Sequence, residues 1–147
     1  MASVSVAAIA QVLGGAAGFQ TAVYSPVRLV ELTRGGLPCT ILITLSDELG
    51  IARTRLAGIL GISERTLSRR IAAKGNLTAE ESDRVVRFAR VLAAAKDTFG
   101  TMEKASRWLQ TPNRALEGEL PFNLLDTDAG VQSVETVLGR IAFGVYS

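Results

Sequence analysis

Arginine side chains dominate one short stretch, LAGILGISERTLSRR at residues 56–70, and they suggest contact with a polyanion. Arg65 and Arg69 are four residues apart, so on a helix they lie one turn apart on the same face. A guanidinium group can donate two hydrogen bonds to the O6 and N7 atoms of guanine in the major groove of DNA. The alternative is a solvated arginine face on an ordinary helical bundle.

The residues around these arginines resemble the helix-turn-helix pattern. At helical spacing, Leu67 and Ile71 share the face away from the arginines, and Ile62 in the turn joins them, so this side is expected to be buried. Ala57 stands four residues before the turn glycine Gly61 and is small enough to let two helices cross closely. The spacing predicts that the second helix is a recognition helix.

Side chains of three kinds would contact the DNA. Arg65 and Arg69 would read base edges, serine and threonine hydroxyls would reach phosphates or bases, and basic residues at the helix ends would hold the phosphate backbone. Many such motifs have an apolar residue where Arg70 stands, and Ile71 takes that role here, which leaves the exact rotation of the helix open. The predicted DNA-binding residues are Arg53, Arg55, Ser63, Arg65, Thr66, Ser68, Arg69, Arg70 and Lys74.

The distribution of charge favours the DNA interpretation over the solvated face. The whole chain has a net charge of only +2. Residues 53–90, however, contain nine basic and four acidic residues, whereas residues 101–147 contain four basic and six acidic residues. One half of the chain therefore attracts a polyanion and the other does not.

The composition excludes several kinds of site. Among 147 residues there is no histidine, and Cys39 is the single cysteine, so no histidine-based triad or His/Cys metal site can form. No glycine-rich phosphate loop and no convincing nucleophile–base pair is present, so we expect no catalytic residue, no metal and no cofactor. A lone cysteine fits the reducing cytoplasm, and we expect Cys39 to be a small buried hydrophobe.

The apolar N-terminus, MASVSVAAIAQVLGGAAGF, does not predict a membrane span. It lacks the positive region of a signal peptide, because the first charged residue is Arg28. Gly14 and Gly15 end any helix well short of the roughly 20 residues that a span needs. We expect a buried helix from about Val4 to Leu13, a cytoplasmic protein and no membrane partner.

Abundant alanine and leucine, few aromatic residues and sparse alternation predict an all-α fold. Thr78–Glu81 is a capping box, and it opens a helix of about twenty residues that ends at Gly100. We place a domain boundary near Gly100, which gives residues 1–100, containing the helix-turn-helix, and residues 101–147. Helices are expected to begin after Ser25, Ser63, Thr78, Thr101 and Thr127 or Asp128.

Three motifs in the C-terminal half resemble those of one antitoxin family. They are W-L-x-T-P-N-x-A-L at 108–116, P-F-N-L-L-D-T-x-x-G at 121–130 and V-x-x-V-L-G-R-I-x-x-G-V-Y at 134–146. They look like the C-terminal toxin-binding domain of Xre/MbcA/ParS-type antitoxins. The likeness extends upstream through LGISERTLSRR and LTAEESDRVVRFARV and covers nearly the whole chain, more loosely before Gly35.

By this resemblance the chain is an antitoxin of a type II toxin–antitoxin system. The cognate toxin would carry a RES domain and destroy NAD; residues 101–147 would cover it, and the chain end would obstruct its active-site cleft. The resemblance places Trp108, Pro121, Phe122, Glu135, Arg140, Phe143, Val145, Tyr146 and Ser147 on the contact surface. Two alternatives stay open, namely that Trp108 is pure core and that the chain end packs on the protein's own core.

Operator binding by a helix-turn-helix generally needs a two-fold dimer that spans two half-sites. We therefore expect a homodimer within a larger toxin–antitoxin complex, and we expect residues 1–100 to supply both DNA binding and dimerisation. The helix from Thr78 to Phe99 or the uncharged N-terminal segment would form the seam. The alternative function is a stand-alone helix-turn-helix regulator of transcription that has no toxin partner.

Overall fold

The structure, a computed structural model, describes residues 4–19 and 25–144 and is all-α over those residues. Two 3-10 turns, Arg114–Leu116 and Pro121–Leu124, interrupt the loop before the last helix. The helices are α1 (Val6–Val12), α2 (Gly15–Phe19), α3 (Pro26–Gly35), α4 (Ile41–Leu49), α5 (Arg53–Ile59), α6 (Glu64–Ala72), α7 (Ala79–Phe99), α8 (Met102–Leu109) and α9 (Asp128–Ala142).

Hydroxyl side chains begin most of these helices, as the sequence predicts. Ser25 accepts a hydrogen bond from the N–H of Arg28 at the start of α3, and Thr127 accepts one from Gly130 at the start of α9. Thr78 and Glu81 form the predicted capping box, each side chain accepting from the other's backbone N–H. These bonds satisfy backbone donors that have no partner within the helix, and they fix where each helix starts.

The long helix α7 is the centre of the molecule. It packs against α1, α3, α8 and α9, and it buries Val85, Phe88 and Leu92 almost completely. The buried residues of α7 lie on more than one side of the helix, because other helices of the chain cover it on several sides. A helix at the surface of a protein would bury residues along one side only. The two segments that we expected to form a dimer seam, α7 and the N-terminal segment, are therefore packed against each other within one chain.

The two halves of the chain meet along α7 and through α4. Residues of α3 and α9 lie on different parts of α7, and α8 also packs against α4. The Ser106 hydroxyl, on α8, donates a hydrogen bond to the carbonyl oxygen of Leu49 at the end of α4, at 2.8 Å. The division at Gly100 stays a prediction, and α7 supplies core residues to both sides of it.

Some boundaries differ from those expected. Helix α1 begins at Val6, because Ser5 caps it, rather than at Val4. We also expect Pro112 to end the helix that begins after Thr101, because proline has no N–H to donate. Helix α8 in fact ends at Leu109, three residues before Pro112, so the proline marks only the latest possible end.

Candidate functional site

The turn between α5 and α6 has the geometry that the sequence predicts. Gly61 has a φ of +71°, in the left-handed region that glycine adopts without strain. The N–H of Ile62 then donates to the carbonyl oxygen of Ala57 at 2.9 Å, and Ala57 is 1% exposed where the helices cross. These contacts fix the angle at which α6 leaves the turn.

Helix α6 has one buried and one exposed side, in the predicted phase. Leu67 is 3% exposed, and Ile71 is half-buried against the same core. Arg65, Ser68 and Arg69 are exposed on the other side. The arginine side chains are thus presented outward, and the buried leucine and isoleucine hold the helix in the rotation that does so.

Two further basic residues of the helix-turn-helix are exposed. Arg53 begins α5, and Lys74 follows the end of α6. We call Arg53, Arg65, Ser68, Arg69 and Lys74 the basic face. All five residues are exposed and four are basic, which is the exposure and charge needed to approach a polyanion.

The hydroxyl groups of Ser63 and Thr66 have a local structural role. The Ser63 hydroxyl accepts a hydrogen bond from the Thr66 N–H at 3.1 Å and donates to the Thr66 hydroxyl at 2.7 Å. The pair caps α6 and fixes its first turn. We predicted both as DNA contacts, and the structure shows that their hydroxyls are already hydrogen-bonded to each other.

Arg70 is also engaged within the protein. Its guanidinium forms an ion pair with the carboxylate of Glu81, and both side chains are largely covered. Burial raises the pKa of Glu81, but hydrogen bonds from the Thr78 N–H and from Arg70 outweigh it, so the pKa of Glu81 is lowered overall. Arg70 therefore joins α6 to the start of α7, whereas the sequence placed it on a DNA phosphate.

Arg55 links the helix-turn-helix to the C-terminal half. It donates a hydrogen bond to the Gln110 side-chain oxygen at 3.0 Å, and its guanidinium carbon lies 4.6 Å from the centre of the Phe122 ring. This is a cation–π contact. Sequence reasoning assigned Arg55 to DNA and overlooked Gln110, because nothing in a local pattern indicates a contact between residues so far apart in the chain.

Of the residues that the resemblance places on the toxin surface, several are buried. Phe122 is 1% exposed and packs edge-to-face on Phe88, with ring centres 5.8 Å apart, and Pro121 is buried beside it. The 3-10 turn that carries them lies directly against α9, where a Cβ atom on Gly130 would stand 1.7 Å from the carbonyl oxygen of Leu124. Only glycine permits that approach.

Trp108 and Glu135 are half-buried and also make internal contacts. The Trp108 ring lies 5.4 Å from that of Phe99, in a tilted arrangement, which favours the core alternative. The carboxylate of Glu135 accepts two hydrogen bonds from Arg90, each 2.9 Å long, and this bonding raises the pKa of Arg90. The bidentate pair holds α9 against α7.

The last turn of α9 presents the remaining predicted toxin contacts. Arg140 is exposed, and Phe143 is 70% exposed, so both are accessible to a partner. Val145, Tyr146 and Ser147 lie outside the described residues. The structure therefore separates the predicted toxin residues into an internal group that shapes the C-terminal half and an exposed group at the end of α9.

Residues 28–90 match the antitoxin Xre-like helix-turn-helix domain, and residues 94–144 match the antitoxin Xre/MbcA/ParS C-terminal toxin-binding domain. A relative named Antitoxin Xre, from Photorhabdus laumondii, is 39% identical over 76% of this chain and 76% of its own. The chain belongs to the Xre antitoxin family. Another Antitoxin Xre, from Yersinia enterocolitica, is 35% identical over 81% of each chain.

A solved structure agrees with this membership. A chain in the crystal structure of the M. tuberculosis MbcT–MbcA toxin–antitoxin complex matches with a TM-score of 0.55 and 25% identity, covering 74% of this chain and 96% of that one. The prediction of an all-α antitoxin with an N-terminal helix-turn-helix and a C-terminal toxin-binding domain is confirmed. As an Xre family member, the protein is the antitoxin of a toxin–antitoxin system.

No helix in residues 4–19 and 25–144 is long and apolar enough to cross a membrane. Within the same residues, no group of three or more carboxylate and cysteine side chains is arranged to hold a metal ion.

Proposed function

We propose that this antitoxin neutralises a RES-domain toxin that degrades NAD, by covering the toxin's active site, and that it represses its own operon by binding operator DNA. It would act without catalysis of its own and without a cofactor, in the cytoplasm. The observation that carries the proposal is the pairing on one chain of an exposed basic face and an exposed phenylalanine, Phe143, just after α9, in the two matched domains.

The basic face supports the DNA half of the proposal. Arg65 and Arg69 are exposed one turn apart on the second helix of the helix-turn-helix, where they would meet base edges in the major groove. Arg53 and Lys74, at the edges, would hold phosphates. Ser63, Thr66, Arg55 and Arg70 would act indirectly, because their internal bonds set the position of α6.

The exposed end of α9 supports the toxin half. Phe143 and Arg140 come two and five residues before Val145 in the sequence, and the Val-Tyr-Ser segment at 145–147 would continue from α9 into the toxin's cleft. Aromatic side chains such as Phe and Tyr lose little conformational entropy on binding and dominate many interfaces. The buried Phe122 and the paired Glu135 would position this end rather than contact the toxin.

A homodimer would complete the DNA-binding unit. Two copies are needed to place two recognition helices about one helical turn of DNA apart, so that each reads one half-site. Toxin molecules bound to the two C-terminal halves would then give a larger complex. Helices α7 and α1 pack against each other within one chain, so a seam that includes either helix would use a face that this packing leaves open.

The two halves of the proposal are tested with variants that should affect only one each. NAD consumption by the purified toxin is measured against rising concentrations of wild-type antitoxin, of a variant lacking residues 145–147, and of Arg69→Ala. Operator binding by the same three proteins is measured by fluorescence anisotropy. We expect the truncated protein to bind DNA normally and inhibit poorly, and Arg69→Ala to do the reverse.

Three results would contradict the proposal. Normal inhibition by the truncated protein would show that residues 145–147 do not obstruct the active site. If Arg69→Ala bound the operator with unchanged affinity, Arg69 would make no contact with a base. Operator binding by the wild type without any effect on NAD consumption would favour a stand-alone regulator.

A further inference from the structure

Helices α1 and α2 precede both matched domains, the first of which begins at residue 28 and the second at residue 94. Helix α1 nevertheless packs along α7, and its Ile9 and Val12 are buried. The first segment of the chain is thus brought beside the C-terminal half, next to the end of α9. Helix α1 therefore contributes to the surface beside the toxin-binding domain.

A groove of about 350 Å³ runs between α1, α7 and α9. Ala8 lies on the α1 wall, Ala94 and Asp97 on the α7 wall, and Ala142 and Phe143 on the α9 wall. The walls are mostly apolar, and Phe143, 70% exposed, stands at the edge. An apolar groove with an exposed phenylalanine at its edge can receive an apolar side chain of a partner protein.

The position of the groove indicates which partner occupies it. All residues of its α7 and α9 walls except Ala93 fall inside residues 94–144, the match to the toxin-binding domain, among them Asp97 and Phe143. Phe143 is also the aromatic side chain that leads towards residues 145–147. The groove is therefore continuous with the surface that the proposed function assigns to the toxin.

The charge in the groove indicates the chemistry of the bound segment. Asp97 is exposed and forms no ion pair with any residue that the structure describes. The carboxylate would favour a basic side chain on the partner, because an unpaired charge at the edge of an apolar interface is stabilised by an opposite one. A matching segment is apolar and carries at least one lysine or arginine.

We propose that α1 is part of the toxin-binding surface, and that an apolar segment of the cognate toxin with a basic side chain docks in the groove between α1, α7 and α9. This rests on the proposed function, since it names the place on this chain where the toxin sits. Helix α1 then adds to toxin recognition a wall that the matched toxin-binding domain lacks.

The test compares one substitution at two neighbouring positions of α1. Ala8 faces the groove, whereas Ala7 is exposed and does not line it. Ala8→Gln would place a longer polar side chain in the groove, and Ala7→Gln is its matched control. Dissociation constants for the purified toxin are measured by isothermal titration calorimetry, and melting temperatures of the free variants are measured alongside.

We expect Ala8→Gln and Phe143→Ala each to weaken toxin binding about tenfold or more, the loss typical of a residue central to an interface. Ala7→Gln should bind like the wild type. Asp97→Asn should weaken binding at low salt and make little difference at high salt. Asp97→Asn keeps the test valid if Ala8→Gln lowers the melting temperature, because Asp97 lines the groove and is exposed.

Four other results would overturn the proposal, and each points to a different explanation. Toxin binding by Ala8→Gln and Asp97→Asn equal to wild type at low salt would rule out the groove as a binding site and leave the proposed function intact. No toxin binding by the wild type would overturn both. A smaller sedimenting mass for free Ala8→Gln than for wild type would show that a second copy occupies the groove. If removal of residues 145–147 increased the rate of amide hydrogen exchange in the groove, the chain's own end would be its occupant.

Discussion

Truncation of Phe122 shows whether this residue belongs to the core, as in the structure, or to the toxin-binding surface, as the resemblance implies. The resemblance places it on the toxin surface, whereas the structure buries it at 1% exposure against Phe88 and beneath the guanidinium of Arg55. Truncation of a buried phenylalanine to alanine removes its burial and leaves a cavity, which costs about 3–5 kcal/mol of unfolding free energy. For a chain of this size, each kcal/mol lowers the melting temperature by about 2–4 °C.

We therefore expect Phe122→Ala to melt about 6–20 °C below the wild type when unfolding is followed by far-UV circular dichroism. Phe143→Ala is the matched control, since it makes the same truncation at a ring that is 70% exposed. Its unfolding free energy should change by no more than about 0.5 kcal/mol, the usual range for surface substitutions. If the two variants melt at the same temperature, Phe122 is not part of the core, and its role as a toxin contact is restored.

Other predictions concern the basic face and the ion pair beneath it. Arg65→Ala or Arg69→Ala should weaken operator binding by about 1–3 kcal/mol if the arginine makes a bidentate base contact, with an unchanged melting temperature. Arg70→Ala should instead lower the melting temperature, because it leaves Glu81 without its cation. A lower melting temperature for Arg65→Ala or Arg69→Ala, with an unchanged one for Arg70→Ala, would contradict these roles. Glu81 has a lowered pKa in the folded protein, so it stabilises the fold above its ordinary value of 4.5, and this contribution is lost as the pH falls through the folded value. Urea denaturation across that range should show a steeper loss of stability in the wild type than in Glu81→Gln, and parallel curves would refute it.

Local features of the fold were predictable from the sequence. The capping box at Thr78–Glu81, the cap at Ser25 and the phase of α6 depend on residues three or four apart, and each is confirmed. Their physical cause is contained within one helical turn, so a short stretch of sequence is sufficient to reveal it.

Contacts between distant residues were not predictable in this way. Arg55 and Gln110 are 55 residues apart, and Arg90 and Glu135 are 45 apart. An arginine in a basic stretch looks the same in sequence whether it faces DNA or an acceptor on another helix. The packing of both halves on α7 decides the outcome, and that packing is a property of the whole chain.

The same contacts change how the family resemblance is interpreted. Motif residues such as Phe122 and Glu135 are needed to build the C-terminal half, since they hold its turn and last helix in place. Family motifs therefore mark structural residues as well as contact residues, and exposure separates the two. By that criterion the end of α9 and the groove beside Phe143 are the surfaces to test for toxin binding.

Co-expression tests the central claim most directly. The untagged chain is produced with the tagged product of its neighbouring gene, the tagged protein is purified, and cellular NAD is measured against cells that produce the tagged protein alone. The account predicts that the chain co-purifies and that NAD falls only when the chain is absent. A tagged protein that binds none of this chain, with NAD the same in both cultures, would contradict it.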